Sequence, residues 1–137
     1  MNKLAGTIAS IATEGNLSLV KIIPEINDRD IITAIVIDNP QTAAWLVHGN
    51  KVNIIFKETE VIIAKQFSGQ ISVQNKFLCT IQKVEKGSLL AKIVLDYSGA
   101  EINSIITVNA VNKLELIAGD EVTALVKTNE ISIIPHD

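Results

Sequence analysis

The chain has 137 residues, 12 Lys and Arg against 15 Asp and Glu, and a formal net charge of −3. With 47% hydrophobic and 20% charged residues, it has the composition of a folded domain and not of a disordered segment. No apolar run approaches the ~18 residues of a membrane-spanning helix, the lone Cys79 excludes an internal disulfide, and no Cys/His cluster has zinc spacing.

Ile, Val and Thr number 23, 12 and 9, so nearly a third of the chain is branched at Cβ. Such side chains lose rotamer freedom in helices and fit a pleated sheet, and a mainly β fold is expected. The opening segment MNKLAGTIASIA carries one Lys, and its apolar stretch is broken by Thr and Ser. It matches a secretory signal poorly, and a cytoplasmic location is expected. The spacing predicts strands over 4–11 and 17–23, turning at Glu14-Gly15-Asn16, then a third strand over 31–37 after Pro24 and the polar 27–30. Asn39 can cap a short helix, Pro40 sits at the tolerated first position and Gly49 can close it, so a helix is expected within 39–49. Strands over 51–56 and 61–64 follow, separated by a tight 57–60.

The second half repeats this order: strands over 77–84, 89–95 and 101–108, a helix near 110–117 ending at Gly119, then strands over 121–126 and 131–134. The repeat is visible in the residues themselves. With a shift of 70, nine of 33 positions between 32–64 and 102–134 are identical, among them Leu46/Leu116, Gly49/Gly119, Lys57/Lys127 and Glu60/Glu130. With a shift of 73, NKLAGTI at 2–8 matches NKFLCTI at 75–81. Two tandem small barrels of the OB type are expected, 1–66 and 71–137, each of five strands and one short helix, with 67–70 as linker. A unit of about 65 residues buries only ~60% of its unfolded surface, so the copies should pack together and the protein should oligomerise.

Chemistry-bearing residues are sparse. His48 lies at an expected helix end, His136 in the tail, and Cys79 in mid-strand opposite Gly6 of the other copy. No nucleophile–base pair, phosphate-cradling glycine loop or apolar carboxylate pair recurs, so no enzyme is expected. Aromatic residues at 4% and an acidic balance disfavour a single-stranded nucleic-acid binder. What does recur is a set of donors: Asn2-Lys3 and Asn75-Lys76 at the start of each copy, Lys57 and Lys127 after the fourth strands, with Ser72 and Thr128 beside the second. Such groups bind an anion where they are desolvated. Alternatively, the lysines keep strand ends soluble and discourage edge pairing.

Each copy resembles a Mop domain, the TOBE-type barrel of molbindins. Ser72-Val73-Gln74-Asn75-Lys76 resembles the opening Ser-Ala-Arg-Asn-x motif, and Ile105-Ile106-Thr107 its Ile/Val-Val-Thr strand. The run Leu114–Thr128 resembles Leu-Gly-Leu-x-x-Gly-x-x-Val-x-Ala-x-Ile-Lys-Ser/Thr. The resemblance implies a cytoplasmic binder of molybdate or tungstate, without cofactor, membrane or nucleic-acid partner. It also implies a homotrimer with oxyanion sites between units of neighbouring chains. Carried over by position, the ligand-binding residues are Ser72, Gln74, Asn75, Lys127 and Thr128 in copy 2, and Asn2 and Lys57 in copy 1. Gln74 stands where the motif has Arg, and Glu58 replaces the hydroxyl at the Thr128 position. Copy 1 is therefore expected to bind weakly or to serve assembly. A ligand-free structural or regulatory TOBE module acting through partner contacts is the alternative.

Overall fold

The computed structural model describes residues 1–136. Ten strands form two curled five-stranded sheets: β1 (Asn2–Glu14), β2 (Leu17–Pro24), β3 (Ile32–Val36), β4 (Lys51–Phe56), β5 (Ile62–Lys65), β6 (Asn75–Lys86), β7 (Leu90–Tyr97), β8 (Ala100–Thr107), β9 (Glu121–Val126) and β10 (Ser132–Pro135). Both long opening strands alternate buried and exposed residues through their first half, the period of a sheet with one face on a core. Both carry an irregularity at the same place, between Ile8 and Ser10 and between Ile81 and Lys83. An inserted residue there bends the strand and lets each sheet curl.

The sheet orders are β10-β4-β1-β2-β3 and β5-β9-β6-β7-β8. Each sheet therefore takes its fifth strand from the other copy. The segments 1–66 and 71–137 do not each close their own sheet; β5 pairs with β9 and β10 with β4, both antiparallel. We call the two sheets, with their exchanged strands, unit 1 and unit 2. Their buried residues form one cluster that runs from Leu4 and Ile8 to Ile131 and Ile133. Phe56 of unit 1 stacks on Phe77 of unit 2 with centroids 5.8 Å apart, and Phe77 meets Tyr97 edge-on at 5.0 Å. Each such pair contributes about 0.5–1.5 kcal/mol beyond its burial. Tyr97 donates its hydroxyl to Asp30 Oδ2 at 2.5 Å, tying the loop after β2 onto unit 2.

The expected helix of copy 1 does not form. Asn39 does cap a turn, with Oδ1 accepting from the backbone N–H groups of Gln41 (2.8 Å) and Thr42 (3.1 Å), but 39–49 continues as separate turns. In copy 2 the helix is α1 (Val108–Leu114), displaced toward the N-terminus by less than one turn from the expected 110–117, capped by Thr107 and ended by Glu115 in the left-handed conformation at φ 51°. The exchanged strands differ at this place. Lys65, at the end of β5, donates to the carbonyls of Leu114 (3.1 Å) and Glu115 (2.9 Å) and pairs with Asp120 at 3.1 Å. A cation on the last carbonyls of a short helix is stabilising. The residue of β10 in the corresponding register is Pro135, which brings no donor. Without it, one capped turn has too little to propagate a helix.

Two asparagines hold the units together at the sheet edges. Asn75 accepts from the backbone N–H of Thr33 at 2.7 Å and donates to its carbonyl at 2.8 Å. Asn2 does the same at Asn103, at 2.7 and 2.9 Å. Each side-chain amide acts as one peptide of a missing strand, covering the open edge of β3 or β8. Asn75→Ala removes both bonds and leaves buried polar groups of Thr33 unpaired. The expected loss is about 2–4 kcal/mol, read as a lower urea midpoint at unchanged slope; a loss near zero would contradict the clasp.

Candidate functional site

The last rung of the β6–β9 ladder pairs Asn75 with Val126. The chain entering β6 and the chain leaving β9 therefore depart from the sheet side by side. Together Ser72, Val73, Gln74, Lys127 and Thr128 line a small pocket of about 80 Å³. Ligand pockets for drug-sized molecules run to about 300 Å³ or more, so this one suits a small ion. Lys127 has extended backbone (φ −66°) and opens a 3-10 turn, Thr128–Glu130, closed by the Glu130 N–H on the Lys127 carbonyl at 3.0 Å. Ser72, Gln74 and Lys127 are exposed and Thr128 is half-buried.

Of the sequence-derived site residues, the structure brings Ser72, Gln74, Lys127 and Thr128 around one pocket. Among the described residues, no carboxylate lines it. Asn75 adjoins the pocket in sequence, but its side-chain amide is engaged with Thr33. Asn2 is likewise engaged with Asn103. Both asparagines are buried, at 1% and 3% exposure, and anchor the site's strands instead of presenting their amides to it. The sequence signal for that second role is their identical place at the head of both opening strands.

Unit 1 repeats the backbone. Asn2 pairs with Phe56, and Lys57 opens the 3-10 turn Glu58–Glu60 with φ −76°. The chemistry differs. The α-ammonium of Met1 pairs with Glu58 Oε2 at 2.6 Å. That contact is the main cause holding the Glu58 carboxyl below its ordinary 4.5, helped by a backbone hydrogen bond and by the charge of Lys92. The nearby cavity, about 220 Å³, is lined by Met1, Lys57 and also Glu130 from the crossing chain.

Elsewhere, burial pushes the Cys79 thiol up to about 12, and burial with the Asp30 bond raises the Tyr97 phenol. Both groups are thereby inert at neutral pH. Among the described residues no group of three or more His, Cys, Asp and Glu is placed to hold a metal ion, and no helix is long and apolar enough to cross a membrane. His48, expected at a helix end, sits exposed in a turn.

Since the Glu58 carboxyl is held low in the folded state, the stabilisation it brings is complete above its ordinary value. It fades as the pH falls through the lowered one. Glu58→Gln should remove that slope from thermal unfolding midpoints followed from about pH 6 to about pH 3. An identical acid profile in the variant would show that the ion pair does not form.

The TOBE domain model matches residues 71–133. Molybdenum-pterin-binding protein 2 of Clostridium pasteurianum is 34% identical over 65 residues, 47% of this chain and 96% of that protein. Molybdenum-pterin-binding protein 3 of the same organism is 31% identical over 65 residues, again with 96% of its length covered. Molybdenum transport protein ModE of Herbaspirillum seropedicae is 25% identical over 134 residues, 96% of this chain; the chain spans about half, 49%, of that relative. A crystal structure of the cytoplasmic molybdate-binding protein ModG with molybdate bound superposes with a TM-score of 0.90 at 25% identity, covering 98% of this chain and 96% of that one. The chain belongs to the molbindin family, with two Mop-type TOBE units in tandem.

Proposed function

We propose that this protein binds molybdate as an intact tetrahedral dianion and serves as its intracellular store or buffer. The observation that carries the reading is the convergence of Ser72, Gln74, Lys127 and Thr128 on one ion-sized pocket free of carboxylates. These are positions that the family's motifs mark. The molybdate-bound ModG structure supports it through a fold shared over nearly the whole chain. Binding needs only donors: an ammonium, two hydroxyls and an amide around four oxygens, with no bond made or broken. Tungstate has the same shape and charge and belongs to the same reading.

In a single chain Ser72, Gln74 and Lys127 face solvent. A dianion held by exposed donors competes with water, and its interactions strengthen when a second surface excludes it. A neighbouring chain would supply such a surface, in keeping with the oligomer expected of two slight units, and the resemblance to molbindins implies that the assembly is a homotrimer. Asn75 and Asn2 hold the strand ends in place, and Lys57 stands at the corresponding position of unit 1.

Titration calorimetry with molybdate, tungstate and sulfate tests the reading, together with the solution mass. Heat with molybdate is expected; none at millimolar oxyanion would overturn it and leave the ligand-free TOBE module. A charge-assisted contact contributes about 1.5–3 kcal/mol. Lys127→Ala should therefore weaken molybdate binding by at least about tenfold. It should leave the fold intact, since the side chain is exposed; unchanged affinity would place the site elsewhere. Gln74→Arg restores the cation of the motif and should tighten binding about 10- to 100-fold. Weaker binding would show that this position does not face the ion.

A further inference from the structure

Four polar side chains line the unit 2 pocket, and they differ in what they can accept. The Lys127 ammonium only donates. The Ser72 and Thr128 hydroxyls donate one proton each, and the proton serves either the ion or another partner. The Gln74 amide carries a separate donor and acceptor, Nε2 and Oε1, and a half-turn about its last torsion exchanges them at one place. Gln74 is exposed, so that turn is open to it. Asn75, the next residue, has no such freedom: both ends of its amide are held by the backbone of Thr33, at 2.7 and 2.8 Å.

A small pocket can tell tetrahedral oxyanions apart by protonation as well as by size. Near neutral pH molybdate, tungstate and sulfate are fully ionised and only accept hydrogen bonds. Phosphate still carries a proton, and that O–H needs an acceptor. In a pocket of donors alone the O–H is left unpaired when water is excluded, which weakens binding by about tenfold or more. A carboxylate in the lining has the opposite preference, since it accepts from the O–H and repels a fully ionised oxyanion. Among the described residues no carboxylate lines this pocket, and the neutral amide of Gln74 supplies an acceptor without a charge.

We propose that Gln74 makes the unit 2 pocket tolerant of a protonated oxyanion, so that it takes hydrogen phosphate as well as molybdate. Nε2 donates to a fully ionised ion, and Oε1 accepts from a protonated one. Lys127 supplies the attraction common to both. The inference rests on the oxyanion reading above and widens its ligand class to oxyanions that carry a proton.

The experiment is calorimetric titration of the full chain near pH 7, in a buffer free of phosphate, with the sodium salts of molybdate, sulfate and phosphate. Sulfate is close to phosphate in size and lacks the proton. Wild type should bind phosphate within about tenfold of its affinity for sulfate. Gln74→Arg offers donors only and should move the phosphate-to-sulfate ratio toward sulfate by about tenfold or more. Gln74→Glu should move the ratio toward phosphate and lose molybdate. Lys127→Ala should weaken all three ions alike, because an ammonium does not distinguish them. Circular dichroism checks the fold of each variant. A wild-type chain that takes molybdate but gives no heat with millimolar phosphate overturns the proposal while the oxyanion reading stands. So does a phosphate-to-sulfate ratio that both folded Gln74 variants leave unchanged. A wild-type chain that binds none of the three ions overturns the oxyanion reading, and this inference falls with it.

Discussion

Exchange of the last strand between the two copies is the constraint on which the rest of the molecule depends. β5 lies on β9 and β10 on β4, so neither sheet is complete without chain from the other half. A unit of about 65 residues buries too small a fraction of its surface to be more than marginal alone. Here the difficulty is removed by making one core from two halves, with Phe56 stacked on Phe77 across the boundary and Phe77 in turn against Tyr97. The exchange also brings in Lys65, whose bonds cap the end of α1, while Pro135 stands at the matching place of β10 beside the copy that lacks a helix.

The two open sheets have four edge strands, β10 and β3 in one and β5 and β8 in the other, and the edges of β3 and β8 are covered from the opposite unit. Asn75 and Asn2 do this with single side chains, each making the pair of bonds that a strand would make. The same two residues open β6 and β1, where the chain leaves the pocket region and enters the sheet. Their amides thus fix the path of the residues just ahead of them. In unit 2 those residues are Ser72 and Gln74, facing Lys127 and Thr128. The clasp is scaffold, and the donors beside it are free of structural duties.

The mainly β character and the two-copy layout were legible because they are written in local terms: alternation along β1 and β6, turn residues at Gly15, and a repeat dense enough to align. Proximity of Ser72, Gln74, Lys127 and Thr128 was legible through the motif positions. Which copy supplies the fifth strand was not. Residues 61–64 and 131–134 have nearly the same apolar pattern, so either fits either sheet, and the choice is made by the path of 66–74 and by tertiary contacts such as Ser104 Oγ donating to the Val61 carbonyl at 2.7 Å. The helix of copy 1 was misread for a related reason. Asn39 and Gly49 are sound local signals, but the C-terminal cation that completes α1 comes from a strand about 50 residues away in sequence. The asparagines were legible as repeated polar residues but not as edge covers, because their partners at Thr33 and Asn103 are backbone groups, which leave no mark in a sequence.

This division of labour explains how two copies on one backbone plan can differ at the site. The positions that hold the fold are matched between them: the asparagine that opens β1 and β6, the irregularity after Ile8 and Ile81, the buried apolar rows and the exchanged strand. The positions that differ, Glu58 against Thr128 and Met1 against Gln74, lie on the surface and support neither sheet. A carboxylate at Glu58 is tolerated because an ammonium answers it at 2.6 Å. The same carboxylate would be costly beside a bound dianion, since like charges in contact cannot both be satisfied by one set of donors. Stability therefore places no bar on a carboxylate in one unit and a hydroxyl at the matching position of the other. The residue after the strand-end lysine, Glu58 or Thr128, is where the two copies part in chemistry while sharing a backbone.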